Sequence, residues 1–245
     1  DHTILGIEYL SGSNWLFRAE TYYKHFENLI TLNQGEQVTE GNDQVSTTPF
    51  NEFFDTRAFA YGLELLFKKT AGASRGWIGY TYAKTMKHIQ KHGWYHPKYD
   101  RTHTLNIVGD YTVPFFNNLH FNYAIQASSG QPFTPPIGRY NHFEAYHDPI
   151  KSDLYQNEQF LVGEKNADRL PIYFRLDLGL KQKKSLFGFP YERYLQLINV
   201  TNHVNPLSYQ YRAKENRLTG ETLGLERAAV PMFPFFFTAG YRIEL

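Results

Sequence analysis

Three histidines recur at a spacing of four residues in the segment MKHIQKHGWYH, and they are His88, His92 and His96. On a helix, residues four apart share a face, where imidazole nitrogens could hold a metal ion. Gly93 interrupts this segment and Pro97 follows it, and both residues disfavour a helix. The sequence therefore predicts no metal site and no cofactor.

A second group with chemical potential consists of Asp100, Arg101 and His103. One interpretation is a ligand or gating position, and the other is a network of ion pairs and hydrogen bonds that fixes the base of a loop. We prefer the second. The chain has no cysteine, and it carries no nucleophile elbow, P-loop, zinc motif or dinucleotide fingerprint. We therefore predict that the protein is not an enzyme.

Composition limits the class of partner. The 245 residues include 25 Lys and Arg against 24 Asp and Glu, so bulk charge does not favour binding to nucleic acid. No apolar run approaches the roughly 18 residues of a membrane helix. Aromatic residues make up 17% of the chain, and such residues favour strands and membrane interfaces. Because the sequence begins with Asp and shows no signal peptide, we expect a processed chain or a fragment.

Alternating patterns show which elements must position these residues. In RLPIYFRLDLGLKQ (169–182), apolar side chains occupy every second position and mostly polar ones fill the rest. This period of two predicts a strand, and no segment has a convincing helical period. We predict nine strands, at about 3–10, 14–33, 55–68, 75–88, 101–113, 118–128, 169–182, 191–202 and 233–245.

The joints between these strands alternate in length without exception. Short joints lie at 11–13, 69–74, 114–117 and 183–190, and longer ones at 34–54, 89–100, 129–168 and 203–232. A compact soluble domain rarely contains a structureless loop as long as 129–168. Transmembrane up-and-down barrels combine tight turns at one end with long loops at the other. We predict this fold, with lipid on the apolar side of the strands, and keep a soluble β-sandwich as the alternative.

The last segment, FPFFFTAGYRIEL (233–245), places apolar residues at alternate positions up to the terminal Leu245. It resembles the C-terminal signature of bacterial outer-membrane proteins, in which the last residue is usually Phe. Four further parts of the chain resemble TonB-dependent outer-membrane receptors of the Bacteroidetes type. They are RAFAYGLELLFKKTAGASRGWIGYTYAKT (57–85), YDRTHTLNIVGDY (99–111), SSGQPFTPP (128–136), and the pair NADRLPIYFRLDLGL (166–180) and YLQLINVTNHVNP (194–206).

The resemblance implies an all-β fold, a 22-stranded transmembrane antiparallel barrel closed by an N-terminal plug domain. The whole chain, 1–245, would be the C-terminal part of that barrel, contributing about nine strands with short periplasmic turns and long extracellular loops. Nothing in the chain matches the plug or the TonB box, so the resemblance implies a fragment or one piece of a split receptor. Receptors of this family import scarce ligands such as siderophores, glycans, peptides or cobalamin.

The resemblance also implies partners and site residues. The partners would be outer-membrane lipid, the plug and remaining strands, TonB, and a surface lipoprotein as a further candidate, with no nucleic acid. Six aromatic residues in predicted outer loops could stack on a ligand: Trp94, Tyr95, Tyr99, Tyr140, Phe143 and Tyr146. Six charged residues would face the lumen or plug: Arg18, Glu64, Asp100, Arg101, Arg175 and Asp177.

The expected function is thus passive scaffolding of nutrient uptake in a bacterial outer membrane, without covalent chemistry. Two alternatives are kept open. An outer-membrane barrel enzyme, a protease or lipase, would use His or Asp residues at the outer rim. A soluble β-sandwich binding module would stay monodisperse without detergent.

Overall fold

The computed structural model describes residues 1–12, 14–32, 37–40, 43–46, 53–143, 156–186, 189–215 and 222–243. All regular structure in these ranges is β: β1 (His2–Ser11), β2 (Trp15–Leu32), β3 (Gln37–Glu40), β4 (Asp43–Ser46), β5 (Phe53–Lys69), β6 (Ser74–Ile89), β7 (Gly93–Tyr95), β8 (His103–Thr112), β9 (Leu119–Ser128), β10 (Pro132–Phe133), β11 (Pro136–Phe143), β12 (Gln156–Val162), β13 (Asp168–Arg169), β14 (Tyr173–Leu186), β15 (Phe189–Ile198), β16 (Pro206–Glu215), β17 (Thr222–Pro231) and β18 (Phe236–Ile243). No helix in these ranges could span a membrane. The all-β prediction is confirmed.

Nine of these strands form one antiparallel sheet in the order β1-β2-β5-β6-β8-β9-β14-β15-β18, and the short β7 pairs with one end of β6. They coincide with the nine strands expected from the alternating pattern. Each pairs with the next along the chain once the strands inside the long connections are set aside, so the sheet is an up-and-down meander. Among the described residues, β1 and β18 pair on one side only, and the sheet does not close into a barrel.

Two strand boundaries differ from the prediction for local reasons. The strand expected at 169–182 begins at Tyr173, because residues 168–169 pair with 132–133 instead and Pro171 lacks a backbone N–H for the ladder. The strand expected at 191–202 ends at Ile198, because Asn199 adopts a φ of 53°. All five non-glycine residues with positive φ in the described ranges are asparagines, the residue type that best tolerates this conformation after glycine.

The long joints, which the sequence analysis treated as loops, contain strands of their own. The joints 34–54, 129–168 and 203–232 contain the hairpins β3–β4, β11–β12 and β16–β17. The strand β16 also pairs with β3, which makes a second, four-stranded sheet from two distant joints. The polar and Pro-rich composition of these segments concealed alternating patterns such as that of PLSYQYRAKE (206–215), where Leu and Tyr occupy alternate positions.

The register of the main sheet separates two chemically distinct faces. One row of direct neighbours crosses seven strands and is entirely apolar: Tyr9, Phe17, Phe67, Ile78, Ile107, Ile125 and Leu176. On the opposite side, a row across six strands consists of Arg75, Asp110, Asn122, Gly179, Gln196 and Thr238. Because neighbours in register share a face, the sheet has one apolar and one polar side.

No second layer covers the apolar face in the described part of the chain. Leu65, Ile78 and Leu180 lie on central strands, yet each retains about two fifths of its exposed surface: 42%, 41% and 41%. Inner faces of β-sandwiches bury such side chains against an opposing sheet. The buried apolar cluster lies elsewhere: Phe160 and Tyr211 pack together with partly buried neighbours from the β11–β12 and β16–β17 hairpins.

Candidate functional site

All long connections lie at one end of the main sheet, which we call the loop end. It comprises the described residues 37–40, 43–46, 90–102, 129–143, 156–172, 199–215 and 222–235 and the strand ends that border them, whereas the short joints β1–β2, β5–β6, β8–β9 and β14–β15 are at the other end. Five of the six buried polar side chains of the described residues are at the loop end: Thr56, Asp100, Asn166, Asn199 and Asn205. Buried polar groups require partners, and the partners of these side chains define how the loops are attached.

Asp100 is the centre of the first network, with its side chain only 1% exposed. Its carboxylate accepts hydrogen bonds from Arg169 Nη2 at 2.5 Å and from the backbone N–H of Thr85 at 2.8 Å. Arg169 also donates to the carbonyl oxygen of Gly130 at 3.2 Å. The His96 imidazole lies 3.4 Å from the same carboxylate. Two connections of the chain, the one between β6 and β8 and the one between β9 and β14, are thereby tied to each other and to β6 at Thr85.

Asn166 adds two hydrogen bonds to this network, one within its own connection and one to the connection that contains His96. Its side-chain nitrogen donates to the carbonyl oxygen of His96 at 2.7 Å, and its backbone N–H donates to the Thr134 hydroxyl at 3.0 Å. The φ of Asn166 is 53°, so the residue combines a turn conformation with two cross-links between segments.

A second network begins where β15 ends and uses three asparagines spaced three residues apart. Asn199 donates to the carbonyl oxygens of His203 and Phe233, at 3.1 and 3.3 Å. Asn205 clamps Phe174, accepting from its N–H at 2.9 Å and donating to its carbonyl at 2.8 Å. The Asn205 side chain thus makes, at the start of β14, the two backbone hydrogen bonds to Phe174 that a neighbouring strand would otherwise make.

The sequence analysis included the segment with Asn199, Asn202 and Asn205 in a family resemblance but gave these residues no role. A regular recurrence of asparagine directly after a strand was the available signal, because asparagine can satisfy backbone groups with both its amide oxygen and its amide nitrogen. Asn202 completes the set by accepting a hydrogen bond from the N–H of Phe235 at 3.0 Å.

The structure divides the six aromatic residues predicted to bind a ligand. Trp94 and Tyr99 are 50% and 63% exposed, whereas Tyr95 is buried. Tyr140 is exposed on a different hairpin, β11–β12. Phe143 ends β11, but its side chain, like the whole of Tyr146, lies outside the described residues.

The six charged residues predicted to face a lumen or plug also separate. Arg18 pairs with Glu8 at 2.5 Å, and Arg175 with Asp177 at 2.5 Å, in both cases on the polar face. Glu64 lies on the same face and is the register neighbour of Glu20. The other two residues, Asp100 and Arg101, lie at the loop end.

Asp100 is enclosed by its network instead of presenting its carboxylate to an open surface. Arg101 donates to the carbonyl oxygen of Ser129 at 3.4 Å. Burial, together with the positive charge of Arg169, lowers the pKa of the Arg101 guanidinium. This geometry supports the interpretation of Asp100 and Arg101 as parts of a loop base, which the sequence analysis preferred to a ligand or gating position.

A groove of about 780 Å³ runs along the polar face over β8, β9, β14 and β15. Its charged lining includes Arg75, Asp110, Asp177, Lys181 and Glu192. Most of these charges are already matched, since Arg75 pairs with Asp110 at 2.8 Å and Lys181 with Glu192 at 2.9 Å. The groove therefore has a polar wall in which most charges are paired.

The three histidines at a spacing of four do not converge. The ring centres of His88 and Trp94 are 5.1 Å apart. His96 Nδ1 is hydrogen bonded to the carbonyl oxygen of Thr85. His92 lies in the turn between β6 and β7. Within the described ranges, no three side chains of the metal-binding types come together.

Comparison with known proteins yields no assignment, because no family model, no curated protein and no solved structure matches the chain. Function must therefore be inferred from the two faces of the sheet and from the residues gathered at the loop end.

Proposed function

We propose that this chain forms part of the wall of a transmembrane β-barrel in a bacterial outer membrane. In this proposal, the apolar face of the sheet contacts lipid and the polar face lines an aqueous lumen. The observation that carries it is the apolar face, which continues across the sheet and stays uncovered. Soluble monomers rarely leave so extended an apolar surface in water.

Strand length supports the same placement. A tilted strand needs roughly 9–11 residues to cross the hydrocarbon core. Strands β2, β5 and β6 have 18, 17 and 16 residues, and each of β1, β8, β9 and β15 has 10. Globular strands are shorter, usually about 5–6 residues. The longest strands would thus extend well beyond the membrane surface at the loop end.

The distribution of connections gives the proposed orientation. The turns at one end are short and the connections at the other are longer, and three of these connections contain the hairpins β3–β4, β11–β12 and β16–β17. Outer-membrane barrels have short turns on the periplasmic side and long loops outside. The loop end would therefore face the exterior, with the β11–β12 and β16–β17 hairpins presented above the membrane.

The unpaired edges of the sheet indicate what the wall still requires. Open strand edges are not tolerated in hydrocarbon, because their N–H and C=O groups have no partner there. We propose that additional strands pair with β1 and β18 and complete the barrel. With the motif resemblance, this supports a TonB-dependent receptor whose plug fills the lumen, whose loops bind a scarce nutrient, and whose energy comes from TonB. A surface lipoprotein is a further proposed partner.

The test uses the absence of cysteine from the chain. Leu195→Cys and Gln196→Cys place a single thiol on adjacent residues of β15 that point to opposite faces. Each variant is labelled with an environment-sensitive fluorophore and reconstituted into vesicles that contain lipids with nitroxide-labelled acyl chains. The nitroxide lipids should quench the label at 195 strongly and the label at 196 weakly.

Equal quenching at the two positions would contradict the proposal, as would quenching at 196 alone. A purified protein that remains monodisperse without detergent would favour the soluble β-sandwich instead. Because the two variants differ by one residue on the same strand, differences in labelling yield or insertion cannot account for a contrast between them.

A further inference from the structure

A notch of about 280 Å³ lies in the main sheet near the end opposite the loop end, which we call the turn end. Most of its lining comes from two neighbouring register rows of the apolar face. The row nearer the turn end consists of Leu119, Gln182, Arg193 and Tyr241, and the next row towards the middle of the sheet contains Leu180, Leu195 and Ala239. Ala239 has the smallest of these side chains, and a small side chain between larger neighbours leaves a depression. The notch is therefore polar at its outer row and apolar along its floor.

Arg193 brings a fixed positive charge to this apolar face. Its Nε and Nη2 donate to the side-chain oxygen of Gln182 at 3.0 and 2.5 Å. Gln182 is itself only 6% exposed, and its side-chain nitrogen donates to the carbonyl oxygen of Asn117 at 2.8 Å. The guanidinium is thus oriented by a buried side chain that the neighbouring turn holds in place.

The charge of Arg193 is not neutralised by an acid of the described residues. Its hydrogen-bond partner there is Gln182, which is neutral. The adjacent acid, Glu192, is on the polar face and pairs with Lys181 at 2.9 Å. A guanidinium has five N–H groups, of which the bonds to Gln182 use two. The remaining donors suit a phosphate group, which arginine binds through strong, charge-assisted hydrogen bonds.

A second cation stands on the same face, one row closer to the turn end. Lys184 lies two residues beyond Gln182 on β14, and its register partner is Tyr191. Lys184 and Arg193 are therefore diagonal neighbours on adjacent strands, a relation that places residues roughly 7–8 Å apart. The Lys184 side chain is exposed, and no ion pair joins it to a carboxylate in the described part of the chain. The register thus brings two cations to the border of the apolar face.

The surroundings favour a lipid over a free anion as the occupant. Leu180 and Leu195, which line the notch beside the cation, are 41% and 38% exposed. The turn that holds Gln182 also carries Phe115 and Phe116, which are 92% and 59% exposed. Apolar side chains and long cationic ones occur together where a protein meets lipid headgroups. A soluble anion would use the guanidinium but not the apolar floor.

We propose that the notch binds one phospholipid molecule. Its phosphate accepts hydrogen bonds from Arg193, and one acyl chain lies along the floor formed by Leu195 and Ala239. Charge complementarity selects a lipid with a net negative charge, because two cations border the notch and none of its lining residues is an acid. This inference rests on the proposed function, since it takes the apolar face to contact lipid, and it adds a specific lipid at a specific position.

Native mass spectrometry of the full chain in a neutral, sugar-based detergent measures the binding of single lipid molecules. The probe is dioctanoyl phosphatidylglycerol, which combines two short acyl chains with a phosphate and a net negative charge. Arg193→Gln should weaken binding of the first molecule about tenfold, because the phosphate loses a charged donor. Ala239→Leu fills the floor without changing any charge and should weaken binding severalfold.

The matched control is Arg242→Gln. Arg242 follows Tyr241 on β18 and lines the groove of the polar face, so this variant removes the same charge at the same height on the opposite face. It should leave the affinity unchanged. Arg193→Lys keeps the charge but not the planar fork, and should bind with intermediate affinity. Urea unfolding of each variant separates a loss of lipid binding from a loss of the fold.

Three results would overturn the inference. The first is equal weakening by Arg193→Gln and Arg242→Gln. The second is equally tight binding of dioctanoylglycerol, which lacks the phosphate. The third is displacement of the lipid by an equal concentration of inorganic phosphate, which would indicate a site for a free anion.

These outcomes can be separated from failure of the proposed function. Lipid binding that depends on Arg193, in a protein whose label at 195 is not quenched by membrane lipids, would keep the notch and reject the membrane wall. Quenching at 195 without binding that depends on Arg193 would keep the wall and reject the notch.

Discussion

Replacing Asp100 by asparagine tests whether the loop end is fixed by buried electrostatics. The substitution preserves shape but removes the negative charge from a side chain that is 1% exposed. In the wild-type protein, Arg169 Nη2 and the N–H of Thr85 donate to different oxygens of the carboxylate. The asparagine amide has only one oxygen, so one of these two donors loses its acceptor. Both bonds are short in the wild-type protein, at 2.5 and 2.8 Å.

The expected cost follows from the partners. Removing one member of a buried ion pair costs about 3–5 kcal/mol, and a hydrogen bond to a charged group contributes about 1.5–3 kcal/mol. The side chain of Arg169 is 31% exposed and regains water when its partner is lost, which places the cost in the lower range. We therefore expect Asp100→Asn to lower local stability by about 2–3 kcal/mol, which raises the equilibrium constant for local opening about 30- to 150-fold.

Hydrogen exchange at the Thr85 amide measures this opening directly, because that N–H donates to Asp100. Exchange should accelerate about 30- to 150-fold in Asp100→Asn when it is limited by local opening. The matched control is Glu8→Gln, which breaks an ion pair with Arg18 that is 43–45% exposed and should change exchange of its own segment by less than about fivefold. Similar small effects in both variants would refute the assignment of Asp100 as the centre of a loop-fixing network.

Three further predictions concern the same end of the sheet. A Cβ at Gly130 would overlap the carbonyl of Leu170, so Gly130→Ala should destabilise the protein by about 3 kcal/mol in urea unfolding, whereas Gly179→Ala, whose Cβ would first meet an atom at 3.6 Å, should cost under about 1 kcal/mol. Asn199→Ala removes side-chain hydrogen bonds to three backbone groups and should lower the free energy of unfolding by about 2–3 kcal/mol. Equal midpoints of urea unfolding for this variant and the wild-type protein would contradict the prediction. The imidazole of His92 should titrate below pH 6.5 in NMR, because its pKa is lowered in the folded protein. Its contribution to local stability is fully present above pH 6.5 and falls as the pH drops through the lower pKa of the folded state. A titration midpoint at or above pH 6.5 would contradict this prediction.

Much of the main sheet could be predicted from the sequence because its side chains obey one repeated rule. A strand with one face in an apolar medium and one in a polar medium must alternate, and a shift of register by one residue would exchange the faces. The alternation in 55–68 and 169–182 therefore located β5 and β14, although not the first residue of β14. Whether the outer edges of β1 and β18 are paired could not be predicted, because alternation within a strand does not specify its neighbours.

The candidate site was less accessible to sequence reasoning. Asp100 and Arg101 were identified from their types and closeness, but the partner of Asp100, Arg169, is 69 residues away and no local pattern connects them. The contact between the Lys165 ammonium and the Tyr95 ring could likewise not be predicted, because it depends on the packing of two separate connections. The hairpins were missed for a different reason: their alternating patterns lie in segments rich in polar residues and proline, which were interpreted by composition.

The two ends of the sheet differ in the interactions that keep them ordered. The main sheet buries few side chains in the described residues, so its order depends on backbone pairing and on the medium at its apolar face. Most of the buried polar groups are instead at the loop end, where Asp100, Asn166, Asn199 and Asn205 hold three of the four long connections. Beyond these fixed points, side chains such as Tyr99 and Lys91 are exposed and take no part in the networks. Substitution of such residues should therefore cost little stability, whereas substitution at the fixed points should displace the loops that they hold.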